Sequence, residues 1–156
     1  MKLRGLAAVL VIMGTAVPFA VAQSDLGRSG GASYVPRLND IMNLIQVEHA
    51  KLWFGGEARN WDLAAYELTQ LSGSLADAAV FYSGLPVSNV TTLSAPIRAI
   101  SDAIAAKDSK RFAVAVGELT AGCNSCHETM QRSFVVIRIP TEKPFGNQMF
   151  RPPAKK

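Results

Sequence analysis

Cys123-Asn124-Ser125-Cys126-His127 brings together the residue types that can bond a haem to a polypeptide, because C-x-x-C-H is the spacing of c-type haem attachment. Two thiols separated by two residues lie on neighbouring positions of one helical turn, so both can reach the vinyl groups on one edge of a porphyrin. The imidazole that follows is then carried under the ring, where a neutral nitrogen can coordinate iron as the proximal ligand. The chain has two cysteines and two histidines, and this pentapeptide holds both cysteines and one histidine, so nothing else competes for the thiols. The expected cofactor is one covalent haem c.

Two other uses of the same residues come from the chemistry of sulfur. A Cys-x-x-Cys pair can be a thiol-disulfide centre, but that chemistry uses a thiolate stabilised at a helix N-terminus, usually after a strand. Here the motif falls late in a helical pattern. Cys123, Cys126, His127 and His49 make a nominal four-ligand zinc set, yet adjacent Cys126 and His127 diverge on a helix and do not easily share one tetrahedron.

The N-terminus suggests the compartment. Lys2 and Arg4 form a basic n-region, Leu6 to Met13 is apolar, and Pro18 precedes Ala20-Val21-Ala22, a small-x-small cleavage signal. Residues 1–22 therefore read as a signal peptide cut before Gln23, with a transmembrane anchor as the alternative. Gly14, Thr15 and Pro18 leave its apolar span short of the roughly 20 residues a membrane helix needs. No later stretch is apolar enough to span a bilayer, so the expectation is a periplasmic chain without stable membrane insertion.

The chain carries 16 Lys and Arg against 12 Asp and Glu, and loss of Lys2 and Arg4 would leave 14 basic residues. Apart from Lys155-Lys156 the basic residues are dispersed, and no aromatic and basic interleaving marks a nucleic-acid groove. Lys51, Lys110 and Arg111 read as solvated helix faces, with a docking patch as the alternative. Glu67 and Asp102 show no paired-carboxylate arrangement, and no glycine-rich phosphate loop or nucleophile-base pair is visible.

Residues 23–156 are the size of one domain. Ser24 to Ser33 is polar and glycine-rich, so residues 23–33 read as a flexible leader, with the haem-binding bundle expected over 34–134 and an extended tail over 135–156. From Pro36 to Phe54, Leu38, Met42, Ile45, His49 and Leu52 recur at steps of four and three, a bundle seam that Gly55-Gly56 is expected to stop. Asn60 is an N-cap for a second helix with Ala64, Leu68, Leu71, Leu75 and Ala78 as its stripe, broken at Tyr82 to Pro86. After a loop through Thr92, Pro96 opens a third helix carrying Ile97, Ile100 and Ile104 and ending near Lys107.

Asp108 caps the fourth helix, where Phe112, Val116, Leu119, Cys123, Cys126 and Met130 repeat the four-and-three step and place the thiols on the buried face. Four amphipathic helices with short connections argue an all-α, antiparallel four-helix bundle. Phe134 to Pro140 is rich in β-branched residues but has no partner strands, and reads as a tail packed along the bundle with Phe145 and Phe150 as anchors. Trp53 and Trp61 read as core rather than haem contacts.

The sixth iron position has Met42, His49, Met130 and Met149 as candidates. Met130 lies three residues from His127 on the proximal side and reads as core; Met149 lies in the tail. Met42 and His49 are seven residues apart on one helix face, about 10 Å along its axis, so both do not lie over one iron. A first helix antiparallel to the fourth sets its early part beside the motif, which favours Met42. From pattern alone Met42 is also an ordinary seam methionine, and His49 also a buried imidazole bonded to backbone, Glu48 or Asn60, or one contacting a haem propionate.

A helical bundle with C-x-x-C-H in its last helix, and 29 residues after His127, resembles the class II c-type cytochromes, the cytochrome c prime and c-556 group, over about residues 35–134. His49-Ala50-Lys51-Leu52-Trp53, Asn60 to Glu67 and Leu119 to Asn124 are similar to a group of small predicted periplasmic monohaem cytochromes. The c prime type often has a basic residue four after the haem histidine; here that position is Gln131, with Arg132 next, and the tail is longer.

The c-556 likeness implies Met42 as the distal ligand over His49. Bundles of this family often pair through the first two helices, which leaves a homodimer open. The expectation is an electron carrier rather than an enzyme, serving redox partner proteins. Its alternative is a five-coordinate haem protein that binds nitric oxide or carbon monoxide.

Overall fold

The computed structural model describes residues 34–85 and 91–154. The expected signal peptide, the leader, residues 86–90 and Lys155-Lys156 lie outside the described residues.

Four helices form the described chain, α1 Leu38–Glu57, α2 Trp61–Phe81, α3 Ser94–Ala105 and α4 Ser109–Thr129, and the described residues contain no strand. α1 packs along α2 and α3 along α4, with α2 against α3 and α1 against α4. The helices bury most of the stripes that periodicity marks: Ile45, His49 and Leu52; Leu68, Leu71 and Leu75; Ile100 and Ile104; Phe112, Val116 and Leu119. In α1 Leu38 and Met42 are only partly buried, and Ile41, outside the expected stripe, is buried. Among the described residues no helix is long and apolar enough to cross a membrane.

The capping residues do what their chemistry suggests. Asn60 Oδ1 accepts the Leu63 N–H at 3.3 Å, and Asp108 Oδ1 accepts the Lys110 and Arg111 N–H groups, both at 3.0 Å. Each of these caps also closes the preceding helix. The Asn60 N–H bonds the Gly55 carbonyl across Arg59 at φ 56°, and the Asp108 N–H bonds the Ala103 carbonyl across Lys107 at φ 53°. A single residue in the left-handed conformation thus ends one helix and sets the cap of the next.

Gly55-Gly56 does not stop α1, which continues to Glu57. Both glycines answer to close approach instead. A Cβ on Gly55 would lie 3.2 Å from the Ala64 nitrogen of α2, and one on Gly56 would overlap the buried Phe112 ring of α4. Thr91 and Thr92, expected to end a loop, are helical. Trp53 stacks on Phe112 at 6.4 Å between centroids and Trp61 meets its edge at 5.8 Å, so both tryptophans pack at the core.

Cross-helix pairs give the directions of α1. Glu48 meets Ser74 while Gly55 meets Ala64, so α1 and α2 run oppositely; His49 meets Thr120 while Gly56 meets Phe112, so α1 and α4 do too. After α4 the chain is extended and lies against the helices. Phe150 is buried against Phe54 at 5.5 Å, and Phe145 leans on Phe150 at 6.1 Å.

Candidate functional site

The buried stripe of α4 continues past Leu119 into Cys123 and Cys126, but there the helix leaves the centre of the core. Both cysteines and His127 are half-buried. They line a cavity of about 330 Å³ that Met42, Ile45 and His49 of α1 close from the other side, with Leu75, Leu93 and Met130 around it. The lining is largely apolar, and the volume lies in the range of small-molecule sites. Thiols, imidazole and Met42 are thus brought to one space from two helices.

His127 is held by the segment after α4. Its Nδ1 lies 2.8 Å from the Val135 carbonyl oxygen. A carbonyl only accepts, so in the neutral ring Nδ1 carries the hydrogen and Nε2 keeps its lone pair for a metal.

The reversal that returns Val135 to His127 is a helix-ending turn. Gln131 takes φ 56°, the Arg132 N–H bonds the His127 carbonyl at 2.7 Å, and the Gln131 N–H bonds that of Glu128 at 3.0 Å. Asn124, inside the motif, then grips the returning segment. Its Nδ2 donates to the Ile137 carbonyl at 2.9 Å and its Oδ1 accepts the Ile137 N–H at 2.8 Å. Val135 and Ile137 also line the cavity, so the tail is one of its walls.

No disulfide joins Cys123 and Cys126. Burial, with the neighbouring Cys126 adding to it, pushes the Cys123 thiol up to about 11. A thiol-disulfide catalyst needs the opposite, a thiolate populated near neutrality. Among the described residues no three histidine, cysteine or acidic side chains gather into a metal-holding group, so the nominal zinc set does not converge.

The two first-helix candidates are sorted by register. His49 is buried, and its Nε2 lies 2.8 Å from the Thr120 hydroxyl, which itself donates to the Val116 carbonyl at 2.7 Å. The hydroxyl has only one hydrogen, so the imidazole donates from Nε2. Burial holds the His49 ring below its ordinary pKa and therefore neutral. Of the partners the sequence offered for a buried His49, neither Glu48 nor Asn60 takes the role; Thr120 does.

Seven residues earlier on α1, and seven later on the opposed α4, Met42 stands level with His127. Met42 is partly buried against the core and lines the cavity. Met130 is partly buried on the same wall, and Met149 is 72% exposed, outside the cavity lining.

Sequence reasoning missed Thr120, Asn124 and Val135. The only available signal was spacing: Asn124 and His127 share a helix face, and Val135 and Ile137 are two apart, so in extended chain they share a side. It also missed a pair of buried acids. Glu48, whose Oε1 accepts from Ser74 at 3.1 Å and whose Oε2 is buried without a partner, lies across the α1-α2 interface near Glu67. Burial raises both carboxyls; Lys51 partly offsets this at both, and Glu48 adds to it at Glu67. Lys51 also sits over the Phe145 ring at 5.4 Å rather than standing free in solvent.

No protein family, curated protein or solved structure matches the chain.

Proposed function

We propose that this chain is a periplasmic monohaem c-type cytochrome that acts in electron transfer. Haem is attached through Cys123 and Cys126, His127 is the proximal ligand, and Met42 is the distal ligand in preference to His49. The observation that carries the reading is the bond from His127 Nδ1 to the Val135 carbonyl at 2.8 Å. It leaves Nε2 as the basic nitrogen, the state required of a metal-bound imidazole, and a carbonyl in this position raises the basicity of the ligand.

The other residues fit the same group. The two thiols are one helical turn apart on an apolar cavity, and the raised pKa of Cys123 argues against a reactive thiolate centre. When bound, haem supplies a reversible one-electron couple at iron. The chain orients the imidazole, excludes water with Leu75, Leu93 and Ile137, and sets a thioether sulfur from α1 beside the motif. Export through residues 1–22 agrees with haem attachment outside the cytoplasm.

The test is production of the full chain in a host that matures c-type cytochromes, followed by intact mass and absorption spectra in both redox states. The expected product is coloured, begins at Gln23, and is heavier than the processed polypeptide by one haem. Cys123→Ala with Cys126→Ala abolishes the covalent mass. A colourless product with the mass of the bare chain overturns the proposal.

A further inference from the structure

We infer that Asn124 is a positioning residue that sets the electron-donating strength of His127 by way of the C-terminal segment; the inference rests on the reading of His127 as an iron ligand. Asn124 and His127 lie three apart on one face of α4, and Ile137 and Val135 lie two apart in the returning segment, both lining the cavity. The chain reverses at Gln131, so Asn124 comes opposite Ile137 and His127 opposite Val135.

The Asn124 amide bonds both the N–H and the carbonyl of Ile137, at 2.8 and 2.9 Å, as a neighbouring strand would. Two bonds to one residue fix both the position and the direction of the segment. The Val135 carbonyl two residues earlier is thereby held on the His127 ring. Beyond Ile137, Ile139 packs against the core and Phe145 and Phe150 follow farther along, so on that side the two Asn124 bonds are the hydrogen bonds nearest Val135 among the described residues.

A hydrogen bond accepted from Nδ1–H pushes electron density onto Nε2 and favours the more positive oxidation state of a bound metal. Release of the segment weakens that push, so the reduced form gains. The motif's first intervening position is therefore a tuning position of this site.

The experiment compares the full chain with Asn124→Leu, which keeps bulk and loses both bonds, and Asn124→Asp, which keeps the acceptor for Ile137 N–H and loses the donor. Intact mass first reports whether haem is attached, which tests the function and not the positioning. Two readouts then test Asn124: the midpoint potential of haem-loaded chain, and the ¹⁵N shifts of the His127 ring, which report its tautomer whether or not haem is present.

The expected result for Asn124→Leu is a shift of the one-electron reduction constant toward the reduced form on the order of tenfold, equivalent to about 59 mV. Asn124→Asp shifts it less. In chain without haem, the His127 ring moves from the Nδ1–H form toward a mixture of tautomers. A potential, or in haem-free chain a tautomer, that stays at its wild-type value in Asn124→Leu overturns the inference, and if that variant does not accumulate, the same standard applies to Asn124→Asp.

Discussion

His49 Nε2 and Thr120 Oγ1 are joined at 2.8 Å inside the bundle, and this bond sets the register of α1 against α4. It removes the His49 Nε2 hydrogen from any other use and brings Met42 level with His127. A polar pair in an apolar seam is specific because any sliding of one helix would bury the imidazole without an acceptor.

Thr120→Val is nearly isosteric but leaves the His49 Nε2–H buried with nothing to accept it. The expected cost is about 1–3 kcal/mol. Denaturant unfolding measures it, and a midpoint equal to that of the wild type would show that the register does not depend on this bond.

Met42→Ala separates the two distal assignments. With Met42 as sixth ligand, the wild type is low-spin and unresponsive to carbon monoxide, and Met42→Ala becomes high-spin in the ferrous state and binds the gas. His49→Ala keeps the low-spin bands. A wild type that is already high-spin and gas-binding would favour the five-coordinate alternative, and loss of the low-spin bands on His49→Ala alone would favour His49.

Gly56→Ala and Gly73→Ala are the same substitution with opposite outcomes. At Gly56 the added methyl would meet Phe112, which is 2% exposed and wedged against Trp53 and Trp61, so the ring cannot yield. The expected loss is about 3 kcal/mol. Gly73 has nothing within 4 Å of the new Cβ and lies inside α2, so alanine there should add about 0.5–1 kcal/mol. Thermal melts of both variants check the pair.

The buried acids predict how stability follows pH. Glu48 and Glu67 have folded pKa values above their ordinary 4.5, raised first by burial, so the folded chain binds protons more tightly than the unfolded chain. Their contribution is therefore present below 4.5 and is lost as pH rises through the folded values. His49 acts in the other direction. Its folded pKa is below 6.5, so its contribution is present above 6.5 and is lost as pH falls toward the folded value. Melting temperature is expected to fall with rising pH where the two acids titrate, above 4.5, and to rise with pH where His49 titrates, below 6.5. Glu48→Gln should reduce the fall above 4.5 and leave the His49 contribution unchanged, and an unaltered slope there would exclude Glu48 as its source.

Much of the architecture was legible in the chain because its causes are local. The four-and-three steps from Leu38 to Leu52 and from Phe112 to Cys126 face each helix inward, and Asn60 and Asp108 begin helices by bonding N–H groups two or three residues on. C-x-x-C-H marked the end of α4 for the same reason, since its spacing carries its chemistry.

Tertiary structure alone decided what depends on residues far apart in sequence. Gly55 and Gly56 look like a stop until α2 and α4 are seen crossing there. Glu48 and Glu67 form a pair only across an interface, and the pKa of Cys123 follows from burial. Periodicity says which face of a helix is buried but not which neighbour meets it or at what height. The placing of Met42 level with His127 by the His49-Thr120 bond, and the bonding of His127 and Asn124 to one returning segment, are therefore properties of the packed chain.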